Sequence, residues 1–219
     1  MFDLPLRALK DHLFTPLCPH IPPSLKPIHI TLLAFTSGLL STFLISLSHT
    51  NYPLALLFWA LNRGLDCLDG TLARHRGAVS DLGGFLDLWC DFIVYSILPI
   101  AVAAGAEAGA AGARVWMAVA VLEACFHVNN FVLFYVAALV EKAGKEEGEG
   151  AKRERGKRRR EELTSVSMRP ALVEGLESAL LFTAMLAYPS AIEGLSWTMA
   201  ALVAVGIGQR TVWVIKALW

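Results

Sequence analysis

Long apolar stretches follow one another along the chain, separated by short polar connections. Six of them approach the roughly 20 residues that a membrane-crossing helix needs. Their approximate bounds are 30–47, 53–73, 83–104, 115–140, 170–188 and 195–218. The pattern predicts an all-α integral membrane protein, built as a bundle of six transmembrane helices.

Basic residues in the connections predict how these helices are oriented. The connections near 48–52, 105–114 and 189–194 hold a single arginine between them. The alternate connections are basic: one holds Arg74 and Arg76, and the other holds the run "KRERGKRRR". Because basic loops stay on the cytoplasmic side, six spans place both termini in the cytoplasm.

Composition supports a multi-pass membrane protein. Apolar residues make up 55% of the chain, charged residues only 17%, and the mean hydropathy is +0.53, whereas about a quarter of a soluble domain is charged. The net charge is zero, yet ten of the 19 Lys and Arg residues lie between Lys142 and Arg169. We interpret residues 142–169 as a flexible basic cytoplasmic loop that signals topology, in preference to a site for anionic headgroups or nucleic acid. No nucleic-acid partner is expected.

The N-terminal part of the chain is expected to differ from the rest. Residues 1–29 are interpreted as a cytoplasmic segment, and residues 30–219 as the six-helix membrane domain. The first residues mix charges and prolines and contain no long apolar core, so no signal peptide is expected. A short amphipathic helix from about Leu4 to Phe14 on the membrane surface is one interpretation, and a disordered tail is the other.

Four aspartates lie in the second and third apolar stretches, within "DCLDGTLARHRGAVSDLGGFLDLWCD" at 66–91. Asp66 and Asp69 are three residues apart, and Asp87 and Asp91 are four apart, so each pair shares one helix face. A charged side chain within a span costs about 2.5–3.5 kcal/mol on the insertion scale. Because the turn between the two helices is short, we expect the acidic faces to meet.

Four facing carboxylates repel one another unless cations lie between them. Internal ion pairs with Arg63, Arg74 and Arg76 are one explanation. Divalent ions are the preferred one, since hard cations such as Mg²⁺ or Mn²⁺ bind carboxylate oxygens and recruit phosphates. Two such ions would balance the four negative charges and would suit phosphoryl chemistry.

The acidic stretch resembles the signature of the CDP-alcohol phosphotransferase (CDP-alcohol phosphatidyltransferase) family, D-x2-D-G-x2-A-R-x8-G-x3-D-x3-D. All eight fixed positions are matched, by Asp66, Asp69, Gly70, Ala73, Arg74, Gly83, Asp87 and Asp91. The six-span layout and the chain length also resemble the family. Many relatives carry Pro-Asn and then Thr where the first span begins, whereas this chain has "KPIHIT", with His29 near the usual Asn position.

The resemblance implies a six-helix membrane bundle, usually a homodimer, that cleaves a CDP-linked substrate and releases CMP. The remaining phosphoryl group is joined to an alcohol. By the motif match, Asp66, Asp69 and Asp87 would bind divalent metal. Asp91 would act as the general base on the acceptor hydroxyl and share the second metal. The residues implied to line the cytidine diphosphate site are Gly70, Ala73, Arg74 and Gly83.

Further polar residues within the predicted spans are functional candidates by default. Glu123 and Asn130 share one helix face with His127. In one interpretation these polar positions line the pocket of the acceptor alcohol, and in the other they join neighbouring helices. The candidate acceptor-site residues are Arg63, His127, Glu174 and Glu177.

The preferred function is that of a membrane phosphatidyltransferase of phospholipid biosynthesis. It would transfer the phosphatidyl group of CDP-diacylglycerol to a small polar alcohol, on the cytoplasmic side of a membrane that the sequence does not identify. Inositol, glycerol phosphate, serine and phosphatidylglycerol are all open as acceptors. The short chain favours this function over the choline and ethanolamine type of phosphotransferase, which uses a lipid acceptor.

Two other classes of protein are compatible with acid-rich membrane helices. An intramembrane prenyltransferase also binds a diphosphate through Mg²⁺, but the pair Ala73–Arg74 and the two placed glycines argue against it. A divalent-ion transporter, or a non-catalytic lipid-binding protein, is the second alternative. CMP release separates either of these from a phosphatidyltransferase.

Overall fold

The computed structural model of the chain describes residues 12–105, 112–146 and 175–218. Within these ranges the chain is helical, with six α-helices and short 3-10 turns. A 3-10 helix at Thr15–His20 comes before the first of them. The α-helices are α1 (Pro27–Leu47), α2 (Tyr52–His75), α3 (Asp81–Gly105), α4 (Gly112–Glu146), α5 (Gly175–Ala187) and α6 (Ile192–Leu218).

Four segments of the described chain are long and apolar enough to cross a membrane. They are Pro27–Leu47, Asp81–Gly105, Gly112–Leu139 and Pro189–Lys216. Helix α2 is long enough, at 24 residues, but carries several charged residues. The described part of α5 has 13 residues. The chain is therefore an all-helical, multi-pass membrane protein, while the count of six spans and the cytoplasmic termini stay predictions.

Local sequence explains where α1 begins. Pro27 occupies the first turn, where a helix needs no N–H from that residue. The backbone N–H of Lys26 donates to Nδ1 of His29 at 3.3 Å. His29 thus caps the helix, which gives a structural role to the residue that departs from the family's usual Asn.

Helix α1 packs along both α2 and α3, and a small residue permits the close approach. A Cβ atom on Gly38 would lie 2.8 Å from Cγ2 of Val94 and 3.0 Å from Nδ2 of Asn62. The buried Asn62 side chain donates to the carbonyl oxygen of Ala34 at 2.8 Å. A small residue and a polar contact between helices are the usual means of joining membrane helices.

The main core draws buried residues from all six helices, and the contacts of α5 with α2 and α3 lie within it. Nε1 of Trp59 donates to Oγ1 of Thr183 at 2.8 Å. The rings of Tyr95 and Phe182 stack with centroids 4.9 Å apart. Outside this core the helices keep large apolar side chains exposed, as at Phe131, which is 67% exposed. An apolar outer surface is what a protein in contact with lipid tails requires.

Helices α4 and α6 form a second packed pair. Arg210 of α6 is buried, and its Nη1 donates to Oδ1 of Asn129 on α4 at 2.7 Å. The hydrogen bond gives one buried guanidinium nitrogen of Arg210 an acceptor within the middle of α4.

The segment before α1 is fastened to the end of α2. Nη1 of Arg76 donates to the carbonyl oxygen of Leu25 at 2.7 Å, and Nη2 donates to those of Ile21 and Pro22 at 2.7 and 3.3 Å. Cys18 packs with Ile30 and Leu72 beneath this segment. Of the predicted surface helix from about Leu4 to Phe14, only the last residues lie within the described chain, and these are helical.

Only the first positions of the predicted loop at 142–169 lie within the described chain. Helix α4 continues to Glu146, so the first positions of that loop are helical. Its remaining residues lie outside the described chain. Lys and Glu favour helix almost as strongly as Ala, which explains why the helix extends beyond the apolar span.

Candidate active site

The four motif aspartates lie on two helices that run in opposite directions. Asp66 and Asp69 are in the second half of α2, and Asp87 and Asp91 are in the first half of α3. The reversal between them uses Gly77, whose φ of 61° is a conformation that glycine adopts readily. Both helices pack extensively on α1 and approach each other less closely, so the contact between their acidic faces is made by side chains.

All four carboxylates interact electrostatically. Each of the six pairs among them lies within electrostatic reach. Asp69 is buried, whereas Asp66 and Asp91 keep 23% and 26% of their side chains exposed. The cluster therefore concentrates negative charge at a site where two of the carboxylates are partly exposed to a ligand.

Arg63 supplies the positive charge in this cluster. Its Nη2 lies 2.5 Å from Oδ1 of Asp91, and its Nη1 lies 3.3 Å from Oδ2 of the same carboxylate. Nη1 also lies 3.6 Å from Oδ2 of Asp66, one helical turn away. A bidentate contact between guanidinium and carboxylate is among the stronger polar contacts in proteins.

Aromatic residues surround the guanidinium of Arg63. Its Cζ lies 5.0 Å from the ring centroids of both Trp59 and Tyr95. Nη1 also donates to the hydroxyl group of Tyr95, and Nε donates to Oδ1 of Asn62 at 2.7 Å. Cations over aromatic faces are stabilised, so Arg63 is held from two sides that do not involve the acids.

Asp69 has a different partner, on α1. Oγ1 of Thr31 donates to Oδ2 of Asp69 at 2.5 Å, and both side chains are buried. The contact links the start of the first helix to the acidic face of the second. It fixes the position of Oδ2 of Asp69 and thereby restricts the orientation of the whole carboxylate.

The remaining motif residues lie around the same end of α2. A Cβ atom on Gly70 would lie 3.3 Å from Nη1 of Arg74, so the guanidinium of Arg74 folds back over this glycine. Nη2 of Arg74 lies 3.2 Å from Oγ1 of Thr71. Ala73 is half-buried on the same helix.

Gly83 is in the first turn of α3. Its N–H donates to Oγ of Ser80 at 3.1 Å, so the Ser80 side chain caps the helix.

The four residues predicted for the acceptor site are placed differently from one another. Arg63 contacts Asp66 and Asp91, as described above. Glu177 is half-buried near the start of α5. His127 is exposed on α4 and makes no hydrogen bond or ion pair with the described residues. Glu174 lies outside the described residues.

The donor set of the cluster suits a hard divalent cation, because it consists of carboxylate oxygens. The oxygens are, however, turned toward protein groups: those of Asp91 toward Arg63, and Oδ2 of Asp69 toward Thr31. In the described part of the chain, no three His, Cys, Asp or Glu side chains are placed together as ligands of one ion. The residues fit a metal by their chemistry, and binding it requires that some of these contacts rearrange.

Sequence reasoning missed several residues that contact the acids or Arg63. Tyr95 continues the row of Gly83, Asp87 and Asp91 at the same spacing of four, which is a signal that an extended motif would have included. Trp59 lies four residues before Arg63 on α2, and this spacing places the two on one face. Thr31 has no such signal, because its contact with Asp69 joins two helices.

Comparison with known proteins identifies relatives. The model of the CDP-alcohol phosphatidyltransferase family matches residues 25–153, more than half of the chain. "Inner membrane protein YnjF" of Escherichia coli K12 is 43% identical over 77 residues, which are 35% of this chain and 36% of the relative. "CDP-diacylglycerol--serine O-phosphatidyltransferase" of Bacillus subtilis 168 is 38% identical over 73 residues, 33% of this chain and 40% of the relative.

The family match includes the first helix, both acidic helices and all eight motif positions. The alignments to the two relatives span about a third of this chain and at most 40% of each relative. The extent of the family match, together with four carboxylates gathered on α2 and α3, assigns the chain to the CDP-alcohol phosphatidyltransferase family.

Proposed function

We propose that this protein is a metal-dependent phosphatidyltransferase of phospholipid synthesis. It transfers the phosphatidyl group of CDP-diacylglycerol to a small polar alcohol and releases CMP. The observation that carries the proposal is the complete motif in a family match over residues 25–153, with its four aspartates gathered in one site. The Bacillus relative, whose name specifies CDP-diacylglycerol as donor, supports that choice of donor.

The acidic residues would share the chemistry. Asp66, Asp69 and Asp87 would hold divalent metal, Mg²⁺ or Mn²⁺ as two ions, with Asp91 sharing the second. When bound, the metal would neutralise charge on the phosphates. Asp91 would accept the proton of the alcohol hydroxyl. The hydroxyl oxygen would form a bond to the phosphorus next to diacylglycerol, and the bond from that phosphorus to the CMP oxygen would break.

The donor nucleotide would lie at the end of the acid cluster where α2 ends and α3 begins. Gly70, Ala73 and Gly83 carry small side chains or none, which leaves room for the cytidine diphosphate. Arg74 would make charge-assisted contacts to its phosphates. The guanidinium of Arg74 already lies beside Gly70, so its position is coupled to the size of residue 70.

The acceptor alcohol would approach Asp91 from the side of Arg63. Arg63, His127, Glu174 and Glu177 are the residues proposed for its pocket, and Arg63 is supported by its contact with Asp91. The basic connections support an active site toward the cytoplasm. A homodimer, as the resemblance implies, is part of the same proposal.

The test is CMP release by the purified full chain, supplied with CDP-diacylglycerol, Mg²⁺ or Mn²⁺ and a panel of alcohols. Asp91→Asn keeps the shape of the side chain and removes the base. Asp81→Asn is the matched control, because Asp81 is an exposed aspartate on the same helix and outside the motif.

We expect release with one alcohol, lost in Asp91→Asn and retained in Asp81→Asn. Removal of divalent metal with EDTA should abolish release, and added Mg²⁺ or Mn²⁺ should restore it. Equal release by wild type and Asp91→Asn would contradict the role of Asp91. Absence of CMP release with every alcohol and both metals would contradict the proposed function.

A further inference from the structure

Both oxygens of Asp91 are used by one guanidinium. Nη2 and Nη1 of Arg63 lie 2.5 and 3.3 Å from Oδ1 and Oδ2. The same Nη1 lies 3.6 Å from Oδ2 of Asp66. Arg63 therefore pairs with two of the four carboxylates and offsets one unit of their negative charge. A divalent ion that used Asp91 as a ligand would have to displace this contact, since a carboxylate oxygen bound to a guanidinium is a poor metal ligand.

The position of Arg63 does not depend on Asp91. The rings of Trp59 and Tyr95 are each centred 5.0 Å from its Cζ, and Nε donates to Asn62. Asn62 is itself anchored to α1 through the carbonyl oxygen of Ala34. Asp91 can therefore turn away about its own side-chain bonds while these contacts keep the guanidinium in place.

We propose that Arg63 is an internal counter-ion of the acid cluster that competes with the divalent cation for Asp91. Without the cation, Arg63 pairs with Asp66 and Asp91 and holds both oxygens of Asp91. When the cation binds, Asp91 leaves Arg63 and becomes a ligand. Arg63 is thus a positioning residue that weakens metal binding and sets the orientation of Asp91. This inference rests on the proposed function, because it takes Asp66 and Asp91 as metal ligands.

The test measures Mn²⁺ binding without turnover. Full-length protein in phosphatidylcholine nanodiscs is titrated with Mn²⁺, and the free ion is quantified by electron paramagnetic resonance. Arg63→Gln should lower the Kd for Mn²⁺ by about tenfold or more, since it leaves the carboxylates without their cation. Arg63→Lys should lower it by about threefold, because lysine keeps the charge without the bidentate contact.

The matched control is Arg114→Gln. Arg114 is also paired with an acid, Glu193 at 3.9 Å, but its side chain is 75% exposed at the start of α4. Its substitution should leave the Kd for Mn²⁺ unchanged. In an Asp91→Asn background, Arg63→Gln should tighten Mn²⁺ binding less than in the wild type, because the shared carboxylate is gone.

Three outcomes separate this inference from the proposed function. Tighter Mn²⁺ binding in Arg63→Gln, and less so in Arg63→Lys, supports the competition. If wild type binds Mn²⁺ and both Arg63 variants bind it equally well or more weakly, the counter-ion role is overturned. The metal-dependent function is then unaffected. No Mn²⁺ binding to wild type or to either variant overturns both. If Arg63→Gln does not fold, the Kd for Mn²⁺ of Arg63→Lys tests the inference alone.

Discussion

Oγ1 of Thr31 donates a hydrogen bond of 2.5 Å to Oδ2 of Asp69, across the contact between α1 and α2. Both side chains are buried, with 7% and 5% of their surface exposed. A hydrogen bond to a charged group contributes about 1.5–3 kcal/mol, and its loss leaves a buried oxygen unsatisfied. Thr31 therefore orients an aspartate that is proposed to bind metal.

Thr31→Val removes the hydroxyl and keeps the shape of the side chain. We expect CMP release to fall by about tenfold or more, because each 1.4 kcal/mol of lost orientation is tenfold in rate. The apparent affinity for Mn²⁺ should fall with it. The measurement is the initial rate of CMP release as a function of Mn²⁺ concentration.

Thr31→Ser is the control for that change, since serine retains the hydroxyl. It should remain close to wild type in both rate and metal dependence. If Thr31→Val were as active as wild type at every Mn²⁺ concentration, the hydrogen bond would have no orienting role.

Gly70 is expected to matter through Arg74. A Cβ atom at position 70 would lie 3.3 Å from Nη1 of Arg74, so Gly70→Ala should shift the guanidinium. Because Arg74 is proposed to contact the donor phosphates, we expect KM for CDP-diacylglycerol to rise by about three- to tenfold, with a smaller change in kcat. Steady-state kinetics at saturating acceptor provide the measurement.

Gly64→Ala on the same helix is the matched control. A Cβ atom at position 64 would meet nothing within 4 Å. KM should be unchanged there. An equal rise in KM for both variants would indicate a general effect on α2 and would count against a specific role for Gly70.

Much of the architecture follows from the apolar pattern, because the apolar part of a helix that crosses a membrane is about as long as the membrane is thick. The predicted stretch 30–47 corresponds to α1 at Pro27–Leu47, and 83–104 corresponds to α3 at Asp81–Gly105. Helix α4 extends beyond the predicted stretch 115–140, since hydropathy marks the end of the apolar span and not the end of the helix. Charged residues that form helix readily continue it to Glu146.

The acid cluster was predictable because helical spacing places each aspartate pair on one face, and a short turn brings the two pairs together. Arg63 was one of three arginines considered as ion-pair partners, but its bidentate contact with Asp91 and the orientation of Asp69 were not predicted. Arg63 contacts Asp91, 28 positions further along the chain, and Thr31 contacts Asp69, 38 positions further. Such contacts depend on how three helices pack, which no local spacing encodes.

Gly38 is expected to be a stability determinant. A Cβ atom there would lie 2.8 Å from Cγ2 of Val94 and 3.0 Å from Nδ2 of Asn62. Valine has a stiff side chain, so the helices themselves must separate. Gly38→Leu should lower stability by about 1–3 kcal/mol or more, as overpacking does, and should also loosen the anchor of Asn62. Thermal unfolding in detergent, followed by size-exclusion chromatography, measures this.

Gly208→Ala serves as the comparison, since a Cβ atom at position 208 of α6 would meet nothing within 4 Å. Replacing glycine by alanine within a helix is usually stabilising by about 0.5–1 kcal/mol. The melting temperature of this variant should therefore stay level or rise. A Gly38→Leu protein as stable as Gly208→Ala would show that α1 packs less closely on α3 than described.

Arg76 is expected to hold the segment before α1 in place. Its guanidinium donates to the carbonyl oxygens of Ile21, Pro22 and Leu25. Arg76→Gln cannot reach all three, and Arg76→Lys keeps the charge but lacks the planar fork of donors. Both variants should therefore expose residues 18–26 to hydrogen exchange about tenfold faster than wild type. Exchange read out by mass spectrometry measures this segment directly.

His75→Gln is the control for this change, because His75 is the exposed neighbour of Arg76 at the end of the same helix. Its exchange at residues 18–26 should match wild type. Cys18 of this segment packs against Ile30 and Leu72. Because Ile30 is next to Thr31, which contacts Asp69, the contacts of Arg76 also help to position Asp69. If exchange in Arg76→Lys stayed at the wild-type rate, charge alone would suffice and the three directed hydrogen bonds would not be what fixes the segment.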